Sequence, residues 1–177
     1  PIAATLKHYV GYSRPLTGKD RTPAWIPERQ LRQIFLPPFA AAIDAGAASI
    51  MVNSGEVNGI PVHADHHILT DILREDLGFE GMVVTDWEDI KYLFKRHKVA
   101  ANYKDAIEMA IHAGIDMSMV PGDLKFPGLL MELVREGRIS EARIDESVRR
   151  ILSMKYHLGL FRTGGMERVT TWASGWA

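Results

Sequence analysis

A carboxylate stands directly after a short apolar run within residues 78–90, which read GFEGMVVTDWEDI. The run ending at Val84 predicts a buried strand, so Asp86 and Trp87 would lie at its carboxyl end. A carboxylate held there is suited to act as a nucleophile or base, and an exposed indole beside it offers a flat apolar wall for a sugar ring or another planar apolar face. The alternative makes Asp86 the N-cap of the next helix and Trp87 a helix-packing residue.

Other apolar runs also end in polar residues. Four strand-like runs occupy residues 2–8, 48–54, 81–87 and 115–120, and their ends carry Lys7 and His8, Asn53 and Ser54, Asp86 and Trp87, and Met119. Side chains converge at the carboxyl edge of parallel strands, so three polar ends predict a pocket for a polar ligand. Lys7 and His8 would face opposite sides of a regular strand, so both reach the pocket only if the backbone is distorted there. Otherwise they are an ion-paired lysine and a hydrogen-bonded histidine.

The elements that must position these residues alternate along the chain. The strand-like runs begin 46, 33 and 34 residues apart, and amphipathic helical patterns lie between them. This order predicts an α/β fold of parallel strands joined by right-handed crossover helices. A complete eight-unit barrel needs roughly 250 residues. Four units therefore make either an open four-stranded sheet or the later half of a (β/α)8-type barrel.

Two helices have specific sequence signals. The pattern over residues 28–45 contains Pro37 and Pro38, which should kink or split the helix. Ser140 is the expected N-cap of the last helix. The residues expected to form the buried face of that helix are Ile144, Val148, Ile151 and Leu152.

Composition narrows the classes of function. The 177 residues are 46% hydrophobic, carry a formal net charge of -1 and include no cysteine. Binding to nucleic acid is not expected without a basic patch, and no apolar run approaches the roughly 20 residues of a membrane span. His63, His66 and His67 lack a second ligand cluster, so neither a metal nor a cofactor is expected. Residues 18–23 (GKDRTP) are predicted to form a solvated turn.

Several motifs together are typical of one family. KHYVGY is followed by GKDRTP, SIMVNSGEVNGIPVHAD, LTDILREDLGFEGMVVTDW, AIHAGIDMSMVP and RIDESVRRILSMKYHLGLF. In this order and spacing they resemble glycoside hydrolase family 3, in its β-glucosidase and exo-β-glucanase branch. The resemblance covers residues 2–161. It implies that residues 1–161 are the later part of a (β/α)8-type catalytic barrel, with residues 162–177 as a linker or disordered tail.

The resemblance also implies roles for individual residues. Asp86 corresponds to the catalytic nucleophile and Trp87 lines the glucose subsite, where Lys7 and His8 contact sugar hydroxyls. The family's further Arg and Asp come from earlier strands that precede this sequence. Ser54 stands where exo-glucanase relatives often carry a tyrosine that assists the nucleophile, although some close relatives also read VNSG.

The implied reaction releases glucose from the non-reducing end of β-glucosides, with retention, through a covalent glycosyl-Asp intermediate. In this branch the acid/base comes from an α/β sandwich domain after the barrel. The N-acetylglucosaminidase branch uses a loop histidine, and residues 11–30 contain none. The chain therefore lacks the acid/base of either branch and is expected to be a fragment with little activity alone. Its open sheet edges are expected to favour self-association. The compartment is not determined by the sequence, and the resemblance suggests a parent that is periplasmic or secreted in bacteria.

Two other functions stay open on the residues alone. Lys7 at a strand end could form a Schiff base, as in barrel lyases. Alternatively, a half-barrel could bind carbohydrate or form oligomers without catalysing a reaction. Both rank behind the glycosidase.

Overall fold

A computed structural model describes residues 2–161; Pro1 and the predicted tail at 162–177 lie outside the described residues. The helices at Leu31–Phe35 and His67–Asp76 are wide π-type helices, and Val62–Ala64 is a single 3₁₀ turn. In this part of the chain, no helix combines the length and apolar character needed to cross a membrane. The elements are β1 (Thr5–Tyr9), α1 (Glu28–Gln30), α2 (Leu31–Phe35), α3 (Leu36–Asp44), β2 (Ser49–Val52), β3 (Glu56–Val57), β4 (Ile60–Pro61), α4 (Val62–Ala64), α5 (His67–Asp76), β5 (Met82–Val84), α6 (Asp89–Lys95), α7 (Tyr103–Ala113), α8 (Lys125–Arg135) and α9 (Glu141–His157).

Three parallel strands form the main sheet in the order β1-β2-β5. Helices connect the strands, as the alternating pattern predicted. Ile50 and Val83 of the sheet share one apolar core with Leu69 of α5 and Ile107 of α7. Within residues 2–161 the strands form an open sheet rather than a closed barrel.

The prediction of a fourth strand at residues 115–120 is wrong. It forms a single parallel bridge, between Val84 and Met117. The backbone N–H of Thr85 donates to the Met117 carbonyl at 3.0 Å, but the next contact uses a side chain, because the Met119 N–H donates to the Thr85 hydroxyl at 2.8 Å. The Thr85 side chain therefore replaces the backbone ladder and ends the pairing after one bridge.

The helix that contains Pro37 and Pro38 is split, as predicted. The two prolines occupy the first turn of α3, where a missing N–H is tolerated. A proline cannot donate to the carbonyl four residues before it, so the preceding turn, α2, widens to five-residue bonds. Gly46 follows α3 with a φ of 91°, which is consistent with the predicted glycine stop.

A β-hairpin orders the long loop between β1 and α1. Asn58 and Gly59 both have positive φ, as the two-residue turn between β3 and β4 requires. The Asn58 side chain accepts from the Ile26 N–H at 2.8 Å and donates to the Ile26 carbonyl at 2.7 Å. Ala24 also pairs with Val57. The hairpin thus fixes the end of a loop that has little regular structure of its own.

The last helix, α9, buries the predicted face only in part, with Ile144 half-buried against the core. Ser140 caps it, since its hydroxyl accepts from the Arg143 N–H at 3.2 Å, as predicted. However, Val148 and Leu152 are 44% and 45% exposed, so their predicted burial is wrong. The helix instead turns a polar face inward, on which Ser147 is buried.

The reason is a buried carboxylate, Asp116, whose side chain has no exposed surface. Its oxygens accept from Arg74 Nη2 at 2.8 Å, Arg150 Nη1 at 2.9 Å and Ser147 Oγ at 2.9 Å. The backbone N–H of Val83 also donates to it, at 2.9 Å. These bonds join α5, α9 and β5 through one charged centre.

Replacing Asp116 with Asn should lower the free energy of unfolding by about 3–5 kcal/mol, because the partly buried guanidinium groups of Arg74, Arg150 and Arg143, the last at 3.5 Å, lose their counter-charge. Urea unfolding monitored by circular dichroism measures the change. The matched control is Asp145→Asn on the exposed side of α9, which should change stability by less than about 0.5 kcal/mol. Equal stability of the two variants would contradict the structural role of Asp116.

Candidate active site

His8 reaches the carboxyl edge of the sheet from β1. The β1–β2 register shifts between Leu6 and Tyr9, which is the backbone irregularity that the adjacent Lys7 and His8 required. The peptide bonds Lys7–His8 and Tyr9–Val10 are cis. His8 Nε2 lies 3.6 Å from Asp86 Oδ2, whereas Lys7 is exposed and forms no ion pair within residues 2–161. The structure therefore brings His8, but not Lys7, against Asp86.

The end of β2 contributes Ser54. The buried Asn53 shapes the turn, because its Nδ2 donates to the Val10 carbonyl at 2.8 Å and its Oδ1 accepts from the Gly55 N–H at 2.8 Å. This turn directs the Ser54 hydroxyl to Asp86 Oδ2, to which it donates at 2.9 Å. Ser54 thus contacts the carboxylate from the end of β2.

Asp86 follows β5 and does not cap the next helix. That helix, α6, has Glu88 at its N-cap position and no side-chain capping bond. Asp86 Oδ1 instead accepts from the Trp87 N–H at 2.6 Å. Trp87 is 52% exposed beside it. The helix-cap alternative for Asp86 and the packing alternative for Trp87 are therefore wrong.

Arg21 is a site residue that the sequence did not predict. It belongs to the GKDRTP segment, expected to be a solvated turn, yet its guanidinium lies between two carboxylates. Nη2 is 3.2 Å from Asp86 Oδ2, and Nη1 is 3.1 Å from Asp89 Oδ1. The only available signal was a basic residue in the loop after β1, which cannot be distinguished from a surface charge without the fold.

Beneath Arg21 lies a buried pair, Asp89 and His63, which are 2% and 3% exposed. His63 Nε2 and Asp89 Oδ2 are 3.7 Å apart, and neither atom has a hydrogen-bond partner among the described residues. Sequence reasoning singled out neither residue for this site. The spacing of Asp89, three residues after Asp86 at the start of a helix, was the available signal for one of them.

These surroundings displace the pKa values in opposite directions. Partial burial favours protonation of Asp86, but the Trp87 N–H, the Ser54 hydroxyl, Arg21 and His8 together hold its pKa below the ordinary value. Burial raises the pKa of Asp89 to about 6 despite Arg21. Burial also lowers the pKa of His63 to about 3. Asp86 is therefore kept ionised, whereas burial favours the neutral forms of Asp89 and His63.

The other histidines of this region have structural partners. His67 lies between Asp71 and Glu28, at 3.0 Å and 3.2 Å, and His66 is 3.2 Å from Asp71. Within residues 2–161, no cluster of three or more His, Asp and Glu side chains could hold a metal ion. The geometry of these residues is that of surface ion pairs.

Residues 1–154 match the model of the glycosyl hydrolase family 3 N terminal domain. This chain belongs to glycoside hydrolase family 3. The resemblance inferred from the sequence motifs is thereby confirmed. A lysosomal β-glucosidase of Dictyostelium discoideum is 60% identical over 158 residues, which are 89% of this chain and 19% of that protein. A periplasmic β-glucosidase of Salmonella typhimurium is 35% identical over 160 residues, 90% of this chain and 20% of that one.

Solved structures of the family have the same fold. A β-glucosidase from Erythrobacter marinus superposes with a TM-score of 0.87 at 38% identity, covering 93% of this chain and 22% of that one. A β-glucosidase from Listeria innocua in complex with glucose has a TM-score of 0.87 at 32% identity, with the same coverage. The predicted barrel-type α/β class is confirmed. This chain spans about one fifth of the length of these relatives.

The buried His63 should make stability depend on pH. The folded protein keeps His63 neutral down to about pH 3, whereas the unfolded chain binds a proton near pH 6.5. Its contribution is therefore complete above about pH 6.5 and is lost as the pH falls. Asp89 acts in the opposite direction, because its raised pKa favours the folded state as the pH falls through about 6.

A His63→Phe variant isolates the histidine contribution. The stability of the parent protein relative to this variant should fall by about 2 kcal/mol between about pH 7.5 and pH 5. Urea unfolding at the two pH values measures this difference. For the exposed control, His66→Phe, the same comparison should stay within about 0.5 kcal/mol. A His63 variant that behaves like the control would show that His63 is charged in the folded state.

Proposed function

We propose that this chain provides the nucleophile-bearing part of a retaining β-glucosidase that releases glucose from the non-reducing end of β-glucosides. The observation that supports this proposal is the position of Asp86 and the contacts that keep its carboxylate ionised. It lies at the carboxyl edge of a parallel sheet and is held ionised by Ser54, Arg21 and the Trp87 amide. A retaining glycosidase needs such a carboxylate to attack the anomeric carbon. Family membership favours this reaction over the Schiff-base lyase suggested by Lys7.

The contacts of Asp86 suggest which oxygen attacks. Oδ2 accepts from Ser54 and is 3.2 Å from Arg21, with His8 also close. Among the residues that the structure describes, Oδ1 accepts one hydrogen bond, from the Trp87 N–H. Since each carboxylate oxygen has about two lone-pair sites, Oδ1 keeps one for the substrate. In the proposed step Oδ1 forms a bond to the anomeric carbon while the bond to the leaving oxygen breaks, and water later hydrolyses the ester.

The residues around Asp86 would bind the glucose unit. Trp87 exposes about half of its surface beside the carboxylate and would stack on the apolar face of the sugar. His8 would donate to or accept from a sugar hydroxyl at the same edge. Lys7 is exposed and uncommitted within the described residues, so it is free to reach a hydroxyl.

The acid/base would come from a following α/β sandwich domain of a larger protein. Four other carboxyl groups that could be considered for this role already have structural partners within residues 2–161. Glu56 binds His97, Asp65 accepts from the Ile68 N–H, and Glu88 and Asp123 both bind Lys91.

Self-association of the chain is also proposed, because within the described residues β1 pairs on one side only, with β2, and leaves its other edge open.

A mechanism-based label tests the role of Asp86 without the acid. An activated 2-deoxy-2-fluoro-β-glucoside with a dinitrophenolate leaving group departs without protonation, so attack by the nucleophile is sufficient. We expect the chain to gain one fluoroglucosyl group per molecule, with the ester mapped to Asp86 by mass spectrometry. Asp86→Asn should label at least about 1,000-fold more slowly.

Glu88→Gln is the matched control, since it removes a neighbouring carboxylate that pairs with Lys91 rather than with Asp86. It should label at the parent rate, and thermal unfolding should verify that both variants fold. Labelling at another residue, or equal labelling of Asp86→Asn, would overturn the proposed nucleophile. Binding of glucose by a folded chain that never labels would favour the non-catalytic carbohydrate-binding alternative.

A further inference from the structure

Asp89 has no access to a substrate, yet it contacts the site through one residue. Its side chain is 2% exposed, and its Oδ1 accepts from Arg21 Nη1 at 3.1 Å. The other end of the same guanidinium lies 3.2 Å from Asp86. Arg21 therefore forms a bridge between a buried carboxylate and the proposed nucleophile.

Arg21 needs an anchor because its loop provides little rigidity at this point. It lies between β1 and α1, outside any helix or strand, and has a positive φ of 58°. Its side chain is one quarter exposed. Other contacts hold parts of the residue: Arg96 donates to the Arg21 carbonyl, the exposed Asp20 carboxylate lies 3.8 Å from Arg21 Nε, and the Tyr92 ring lies 6.0 Å from the guanidinium. None of these contacts is a hydrogen bond from the guanidinium, whereas the contact with Asp89 is one.

Asp89 is suited to fix that direction. It is the first residue of α6, and it follows Asp86 by three positions on the same segment. A guanidinium is a planar fork whose donors have fixed relative directions. The hydrogen bond from Nη1 to Asp89 therefore determines the direction of Nη2. In this orientation Nη2 lies 3.2 Å from Asp86 Oδ2.

We propose that Asp89 is a positioning residue for the glycosidase reaction, which holds the guanidinium of Arg21 in contact with the Asp86 carboxylate. This inference rests on the proposed nucleophilic role of Asp86. It assigns Asp89 no proton transfer and no contact with the sugar.

Two possible roles of Asp89 can be told apart, which makes the proposal testable. Burial raises the pKa of Asp89 to about 6, so Asp89 carries no negative charge at the lower pH where Asp86 titrates. A protonated Asp89 still has an oxygen that accepts from Arg21, so as the anchor of Arg21 it favours ionisation of Asp86. The other charged or titratable groups near Asp89 are His63, with Nε2 at 3.7 Å, and Arg96. Both stay in place in the variants described below.

The test measures the pKa of Asp86 by carbon-13 NMR of the carboxyl group in the parent chain and in Asp89→Leu. If Asp89 holds Arg21 in place, its removal frees the guanidinium and the pKa of Asp86 rises. Its labelling by the activated fluoroglucoside should also slow at least about tenfold. If Asp89 acts only through its own charge, the pKa of Asp86 does not change, because Asp89 is already protonated where Asp86 titrates. An unchanged or lowered pKa of Asp86 would overturn the proposal.

A second measurement uses Arg21→Met, which removes the guanidinium itself. The double variant Arg21→Met/Asp89→Leu controls for loss of the fold. Arg21→Met leaves a buried carboxylate without its partner, whereas the double variant replaces the ion pair with apolar side chains. The pKa of Asp86 should rise in both. The double variant should shift it no further than Arg21→Met does, because Asp89 acts through Arg21. Additive shifts would contradict the bridge.

The two proposals fail in distinguishable ways. The NMR titration needs no turnover, so it reports the bridge even in a chain that never labels. Labelling mapped to another residue, with the expected shifts at Asp86 still present, would overturn the proposed function alone. Labelling at Asp86 that is unaffected in Asp89→Leu would overturn the positioning role alone.

Discussion

A carboxylate attacks a sugar only while it is ionised, and in the proposed reaction Asp86 must meet this condition in a partly buried position. Burial disfavours its charge, so the surrounding donors must outweigh that effect. They come from three separate segments: Arg21 from the loop after β1, Ser54 from the end of β2, and the Trp87 amide after β5. The arrangement of parallel strands matters to the site because it is what brings these segments to one edge.

The charged residues divide between the two ends of β5. At the carboxyl end, Asp86 remains partly exposed and close to Trp87. Towards the amino end, Asp116 is wholly enclosed by Arg74, Ser147 and Arg150, and Arg74 also donates to the carbonyls of Phe79 and Gly81. The enclosed cluster stabilises the fold, and its carboxylate has no exposed surface for a ligand. In barrel-type folds this is the expected division between the stabilising face and the face that carries chemistry.

Sequence patterns predicted the features that depend on local periodicity and on strand ends. The alternating elements, the helix split at Pro37 and the position of Asp86 were predictable for that reason. Arg21 and Asp89 were not, because their roles depend on a loop and a helix start that meet only in the tertiary structure. The buried face of α9 was misassigned because periodicity counts apolar residues, and it could not anticipate that Arg150 and Ser147 face Asp116. The roles of Lys7, His8 and Trp87 towards a sugar stay predictions.

Two carboxyl groups three residues apart, with pKa values displaced in opposite directions, would ordinarily be assigned as nucleophile and acid. The lowered value at Asp86 and the raised value at Asp89 fit that pattern in charge alone. Geometry argues against it, because Asp89 is buried behind Arg21 and a general acid must reach the leaving oxygen. The raised pKa of Asp89 is better explained as a consequence of burying the anchor of Arg21. A retaining mechanism at this edge therefore requires its second carboxyl group to approach from the open side of Asp86, where Trp87 is exposed.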